Sequence, residues 1–307
     1  MDGNGDAMAQ YFPSIWSGEY RSKAEYDENA PRLADAFSVF DWLDDRVLHS
    51  RHAFSYPAYC SACGHVTQIR IAWYFGEAGN SPSIHPAWTE TAICDECGLN
   101  SRMRAIIDFL KTHCDLSTIT RAYVSEQITS SFHKLKELLP SLIGSEYLGA
   151  EYPSGKIFAQ WGKLRRLRHE DLTALSFADN QFDLVIAQDV FEHIPNYKKA
   201  FTELWRVLLP GGRLVFSIPF FYDLETTRIR ASVGNEGIVH HLPAEIHGNP
   251  VSKEGSLCFQ NFGWDILSDL RQAGFKEALA HMYWGPWQGH LGYPFFIFSA
   301  SKAFTSQ

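Results

Sequence analysis

The 307-residue chain contains no apolar run approaching the roughly 20 residues that a membrane-spanning helix needs. Its opening, MDGNGDAMAQ, lacks the basic region followed by an apolar one that marks a secretory leader. These absences lead to the expectation of a cytoplasmic protein with no membrane partner. Basic charge is also short: 27 Lys and Arg against 35 Asp and Glu leave a net charge of −8. A surface that neutralises many phosphates needs the opposite balance, so nucleic acid is disfavoured as a partner. The one local basic run, Lys163, Arg165, Arg166 and Arg168, reads as a solvated lead-in to a strand. No internal repeat is present. Cysteine is sparse as well. Of six cysteines, four fall in two C-x-x-C pairs, and in a reducing compartment that arrangement favours a metal over a disulfide framework.

What is present divides the chain in three. Residues 1–30 carry Gly, Asp, Asn and Ser with scattered aromatics and are expected to form a flexible N-terminal arm. Residues 31–115 form a helix plus a zinc-binding module. Leu33, Ala36, Phe37, Phe40, Leu43 and Val47 follow helical spacing. Cys60 and Cys63, then Cys94 and Cys97, are each followed by a glycine, Gly64 or Gly98. Two such knuckles can aim four thiolates at one tetrahedral Zn²⁺ and leave no open coordination position, so the expected role is structural. QIRIAWYF can supply strands between the knuckles, as in a zinc-ribbon or treble-clef module, and the module is also a docking surface for a protein partner. After Cys97, Asn100 or Ser101 can cap a helix that buries Met103, Ile106, Ile107, Phe109 and Leu110. Cys114 and Cys258 fall outside the pattern and read as small apolar residues.

Residues 116–307 alternate strand and helix. FDLVIAQ is a short apolar run ending in Asp189, as suits a strand buried on both faces. From Tyr197 the period changes to helical, with Ala200, Phe201, Leu204, Trp205 and Leu208 on the apolar stripe. Leu209-Pro210-Gly211-Gly212 stops that helix, and RLVFSIP is a second buried strand. Two strands joined by a helical crossover make a right-handed parallel βαβ unit. Upstream, ITRAYVSE, the helix SSFHKLKELLP, LIGSEYL and the lead into HEDL extend the pattern to an α/β, doubly wound sheet with ligands at the carboxyl ends of its strands. Residues 220–262 read as a long lid insertion before the helix GWDILSDLRQAG and the terminal strands EALAHMYW and PFFIFSAS.

HEDLTALSF, NQFDLVIAQDVFEHI and ELWRVLLPGGRLVFSIP resemble the second half of a class I S-adenosylmethionine-dependent methyltransferase domain, of the type-11-like kind that acts on small molecules. The resemblance implies a Rossmann-like sheet and S-adenosyl-L-methionine as cofactor. It places Glu146, with Tyr147 beside it, at the ribose hydroxyls. Asp171 falls to the adenine amino group and Leu172 to the ring. Asp189 lies over the methionine moiety, and His193 is a candidate base in the same loop. The chain departs from the family in the first loop, where an acid is normally followed by a glycine-rich turn. In YVSEQITSS, Glu126 stands for the acid, but Gln127, Ile128, Thr129 and Ser130 occupy the glycine positions. Either the hydroxyls of Ser125, Thr129 and Ser130, in the stretch Ser125 to Ser131 that replaces the glycine-rich loop, take over part of the backbone contact, or the cofactor has been lost. The lid segment IVHHLPAEIHGNP adds His241 and His247 as candidate bases, with His240 and Glu245 nearby. Pro243 and Pro250 argue for an irregular loop there, so a metal is the lesser reading of this cluster.

Two functions are carried forward. The first is methyl transfer to an oxygen or nitrogen of a small polar acceptor, such as a sugar or another biosynthetic intermediate. The second is a catalytically silent methyltransferase-like binding or scaffold protein with a structural zinc site.

Overall fold

A computed structural model describes residues 16–48, 52–73 and 86–304. The chain divides into two compact units. One comprises Met1–Glu19, Ala24–Cys114 and His281–Ile297, and the other Tyr20–Lys23, Asp115–Ala280 and Phe298–Gln307.

In the first unit the helix Ala30–Val47 starts with Pro31 in its first turn, where the missing N–H costs nothing. It buries Leu33 and Phe40, and Phe40 stacks on Trp284 with ring centroids 3.9 Å apart. The strands Phe54–Cys60 and His65–Ile71 pair antiparallel, and Ile93–Cys94 adds to the second of them. Ile69, Ile71, Trp88, Ala92 and Leu291 close a small core around the cysteine pairs. The helix Ser101–His113 is capped by Asn100, whose side chain accepts from the Met103 N–H at 3.0 Å. Its fully buried Arg104 donates to the carbonyls of Ala92, Gln288 and Gly289, so the charge sits among acceptors.

In the second unit the sheet runs in the order Ile143–Gly144, Ala122–Val124, Phe182–Gln188, Leu208–Ser217. These four strands are mutually parallel. The order continues with His290–Ser301 and Glu277–Gly285, of which Phe298–Ser301 and Glu277–Ala280 belong to this unit. The helix Tyr197–Val207 buries Tyr197, Ala200, Phe201, Leu204 and Val207, close to the expected stripe. Pairing with the neighbouring strand shifts register between Leu208 and Arg213, where Pro210 and Gly211 (φ 81°) take the chain around. The parallel centre of an α/β sheet expected from the sequence is therefore present.

Two expectations about organisation meet a different structure, and a third lies partly outside the described residues. The segment expected as an arm contains a strand, Trp16–Tyr20, and a helix, Lys23–Glu28, while residues 1–15 lie outside the described residues. Part of QIRIAWYF also lies outside them, from residue 74 onward. The insertion 220–262 is not an open loop. It folds into the pairs Ala231–Gly234 with Gly237–His240, Ile246–Asn249 with Ser252–Leu257, and Arg228–Ile229 with Gln260–Asn261. Pro243 and Pro250 stand between strands instead of within them, so they do not prevent pairing. Among the described residues, no helix is long and apolar enough to cross a membrane.

Candidate active site and cysteine cluster

In the second unit Glu126, Glu146 and Asp189 follow strands of the parallel sheet, and Asp171 follows the hairpin strand Leu164–Arg168. Glu146 is buried just beyond Ile143–Gly144, joined to His169 by a parallel bridge. One of its oxygens, Oε1, accepts from the backbone N–H groups of Gln127 at 2.7 Å and Ile128 at 3.1 Å. Burial outweighs those two hydrogen bonds and pushes the carboxyl up to about 7. Asp171 lies in the turn after Leu164–Arg168. Its Oδ1 accepts from the N–H and hydroxyl of Thr173, both at 2.8 Å, and its own N–H donates to the Ser154 hydroxyl. Leu172 is buried beside it, and Tyr147 is 52% exposed, as a surface that meets a ligand requires. Asp189 follows Phe182–Gln188 at φ 44°, a left-handed conformation that few residues other than glycine, asparagine and aspartate adopt.

The loop without glycines is tied down by its side chains. Gln127 turns away from the strand ends: its Nε2 donates to the Arg166 carbonyl at 3.0 Å and its Oε1 accepts from the Arg168 N–H at 2.9 Å. Glu126 accepts from the Thr129 hydroxyl at 2.6 Å and from Gln188 Nε2. Thr129 then caps the helix Ser130–Leu138 by accepting from the Phe132 N–H, and Ser131 accepts from Gln188 at 2.6 Å. The hydroxyls of Thr129 and Ser131 thus hold the loop and helix together. Gly144, at the end of the neighbouring strand, lies tight against this loop and its helix. A Cβ there would overlap the Glu126 carbonyl oxygen and come within 2.6 Å of the Phe132 ring.

A second group lies after Phe182–Gln188, in the turn Phe191–His193. His193 and His247 meet edge to face, ring centroids 5.1 Å apart. Glu192 is fully buried between them, with Oε1 3.6 Å from His193 Nε2 and 3.8 Å from His247 Nδ1. The paired strands of the insertion bring His247 here. The Phe259 N–H donates to the Glu192 carbonyl at 2.7 Å, and Gln260 Nε2 donates to the carbonyls of Phe191 and Ile194. Contact with Cys258, then with the carboxylates of Glu192 and Glu245, raises the His247 pKa to about 11. His241 is elsewhere: it is exposed and bonded to Ser232 across its own hairpin at 2.9 Å. The resemblance includes Glu192 in the loop Phe191–His193 without giving it a role of its own, since its burial is visible only in the structure. Cys258 was read as a small apolar residue, and nothing in its sequence neighbourhood marks it otherwise.

In the first unit the four paired cysteines converge. Cys60 Sγ lies 3.8 Å from Cys97, Cys63 Sγ lies 3.9 Å from Cys94, and all four sulfurs are within 4.8 Å of one another. Each knuckle closes as its spacing predicts: the Gly64 N–H donates to the Cys60 carbonyl at 2.7 Å and the Gly98 N–H to that of Cys94 at 2.9 Å. Both glycines have positive φ, 80° and 71°. Sulfurs bound at about 2.3 Å to a tetrahedral zinc lie about 3.8 Å apart, so the donor set fits that ion.

Residues 135–216 match a family model described as a methyltransferase domain. A demethylmenaquinone methyltransferase of Thermus thermophilus is 40% identical over 160 residues, 46% of this chain and 71% of the relative. A second, from Deinococcus radiodurans, is 30% identical over 176 residues, covering 51% of this chain and 68% of the relative. A solved structure of Burkholderia thailandensis 1,6-didemethyltoxoflavin-N1-methyltransferase, bound to 1,6-didemethyltoxoflavin and S-adenosylhomocysteine, superposes at a TM-score of 0.40 with 17% identity, covering 66% of this chain and 79% of that one. The chain belongs to the methyltransferase-domain family. It is an S-adenosylmethionine-dependent methyltransferase.

Proposed function

We propose that the protein transfers a methyl group from S-adenosyl-L-methionine to an oxygen or nitrogen of a small polar acceptor in the cytosol, and that Cys60, Cys63, Cys94 and Cys97 hold a structural Zn²⁺. The convergence of the strand-end acids carries this reading. Bound S-adenosylmethionine supplies a methyl group made electrophilic by its sulfonium. Glu146 keeps Oε2 for the ribose hydroxyls while Oε1 grips the loop, and a carboxylate suits two adjacent hydroxyl donors. Tyr147 lies beside the ribose, Asp171 accepts from the adenine amino group, and Leu172 packs on the ring. Glu126 orders the first loop, and Asp189 faces the methionine end. The relatives named as demethylmenaquinone methyltransferases support a small-molecule acceptor without fixing which one.

The Glu192, His193 and His247 group handles the acceptor proton, since it stands at the end of the strand where the methyl group is delivered. His241 serves the outer part of the insertion. Family membership favours this enzyme over the silent scaffold. The cysteine cluster remains a surface on which a protein partner could dock. Two measurements test the reading. Calorimetric titration with S-adenosylmethionine should give heat in the wild type and a weaker site in Asp171→Ala; no heat would sink it. Cys94→Ser should lose about one equivalent of zinc per chain, and a variant with unchanged zinc content would remove the metal assignment.

A further inference from the structure

The His193, His247 and Cys258 group has the geometry of a second metal site. One donor atom from each lies within 4.8 Å of the other two. His247 and Cys258 belong to one hairpin, and His193 joins them because the hairpin Ile246–Asn249 and Ser252–Leu257 docks on the turn Phe191–His193.

Three further observations point to a ligand. His193 Nδ1 lies 2.9 Å from the Leu257 carbonyl, which can only accept, so Nδ1 carries the proton and Nε2 presents a lone pair to the cluster. His247 Nε2 lies 3.0 Å from Glu245 Oε1, the carboxylate-to-imidazole pairing that fixes the orientation of a ligating histidine. Glu192 is wholly buried, and among the described residues neither of its carboxylate oxygens has a hydrogen-bond partner. Both nearby imidazole nitrogens stand at 3.6 and 3.8 Å from it, too far for a hydrogen bond, so the carboxylate lies beside the cluster with its oxygens unsatisfied. A buried carboxylate without a donor is costly unless positive charge neutralises it.

We propose that His193, His247 and Cys258 bind a divalent transition-metal ion, Zn²⁺ by the softness of the donors, with one coordination position left for a hydroxyl of the acceptor. Two imidazoles and a thiolate suit zinc over magnesium or calcium, which prefer oxygen. Donors of a tetrahedral zinc lie about 3.3–3.8 Å apart, so the group contracts by roughly 1 Å on binding. Three protein ligands leave the fourth position open, as at catalytic zinc, in contrast to the closed four-thiolate set. The catalytic role rests on the methyl-transfer reading; the binding of the ion does not. In that role the ion makes the acceptor hydroxyl more acidic and Glu192 takes its proton. The oxygen then bonds to the methyl carbon as the carbon–sulfur bond breaks. The electron pair of that bond stays on sulfur, leaving neutral S-adenosylhomocysteine.

The test is zinc content after equilibrium dialysis of the full-length protein against Zn²⁺. The wild type should hold about two equivalents per chain, and Cys258→Ser and the half-buried His247→Gln about one each, with the four-cysteine zinc retained. Hydrogen exchange in residues 246–258 should slow on adding Zn²⁺ to the wild type and not in the variants. A wild type that binds only about one equivalent, or variants that keep about two, overturns the site. S-adenosylmethionine binding measured on the same samples separates the two readings: a one-zinc protein that still binds the cofactor loses the second site and keeps the methyltransferase.

Discussion

The four-cysteine cluster and the His193, His247 and Cys258 group gather metal-ligating side chains in opposite ways. The cysteines come from two turns closed by their own backbone hydrogen bonds, carry one kind of donor, and number as many as a tetrahedral zinc takes. The histidine group mixes donors, is assembled by the docking of an inserted hairpin, and keeps a buried carboxylate beside it. In the roles proposed above, the difference separates a cluster that holds a fold from one that does chemistry. A locally built, saturated site resists change, whereas a site built over long range offers an open face and depends on its supports.

The comparison can be broken most severely at Cys94. Structural zinc contributes on the order of 10 kcal/mol, comparable to the whole stability of a small domain. Cys94→Ser should therefore unfold the first unit, read as lost protection of Phe54–Ile71 from proteolysis. Retention of a normal melt would mean that the core around Ile69 and Trp88 suffices alone. On the other side, His193→Gln should lower kcat by about 10²–10⁴-fold while S-adenosylmethionine affinity stays within about twofold. A fall in affinity with little change in kcat would move His193 out of the chemistry.

Glu146→Gln should weaken cofactor binding by about 10–100-fold, the range for a hydrogen bond to a charged group. The same variant sharpens a pH effect. The folded-state pKa of Glu146 is raised from 4.5 to about 7, so the fold binds this proton more tightly than the unfolded chain does. Its contribution to stability is full below pH 4.5 and is lost as pH rises to about 7, amounting to about 3 kcal/mol in the cofactor-free protein. Cofactor affinity should run the other way, rising from pH 6 to 8 as the carboxylate ionises to accept the ribose hydroxyls. In Glu146→Gln both slopes should flatten, by denaturant titration and by calorimetry; an unaltered slope would assign the titration to another group. The smallest effect is expected at Gln127→Ala. Two hydrogen bonds to the Arg166–Arg168 backbone are lost, KM for S-adenosylmethionine rises about 3–10-fold, and kcat holds.

What could be read in the sequence follows the range over which each feature is built. The parallel strands around Phe182–Gln188 and the helix Tyr197–Val207 were legible because apolar period and turn residues are local signals. The cysteine knuckles were legible for the same reason, down to Gly64 and Gly98. The insertion was not. Its strands, four residues each in Ala231–Gly234 and Gly237–His240, expose most of their side chains and carry no hydrophobic alternation. Cys258 lies in no motif, and its meeting with His193 is made by Phe259 and Gln260 hydrogen-bonding to a turn more than sixty residues away. Gln127 stands at a glycine position of the family's loop, and only the fold shows its side chain tied to the backbone of Arg166 and Arg168 in the strand Leu164–Arg168, partners 39 and 41 residues away that no local signal marks.

The central claim is that the strand-end acids of a loop without glycines still hold S-adenosylmethionine. Isothermal titration of the wild type, Glu146→Ala and Asp171→Ala with S-adenosylmethionine and S-adenosylhomocysteine tests it most directly. The expected result is one site with measurable heat in the wild type, weakened by about 10-fold or more in each variant. Absence of heat at millimolar cofactor, or undiminished affinity in both variants, would contradict it.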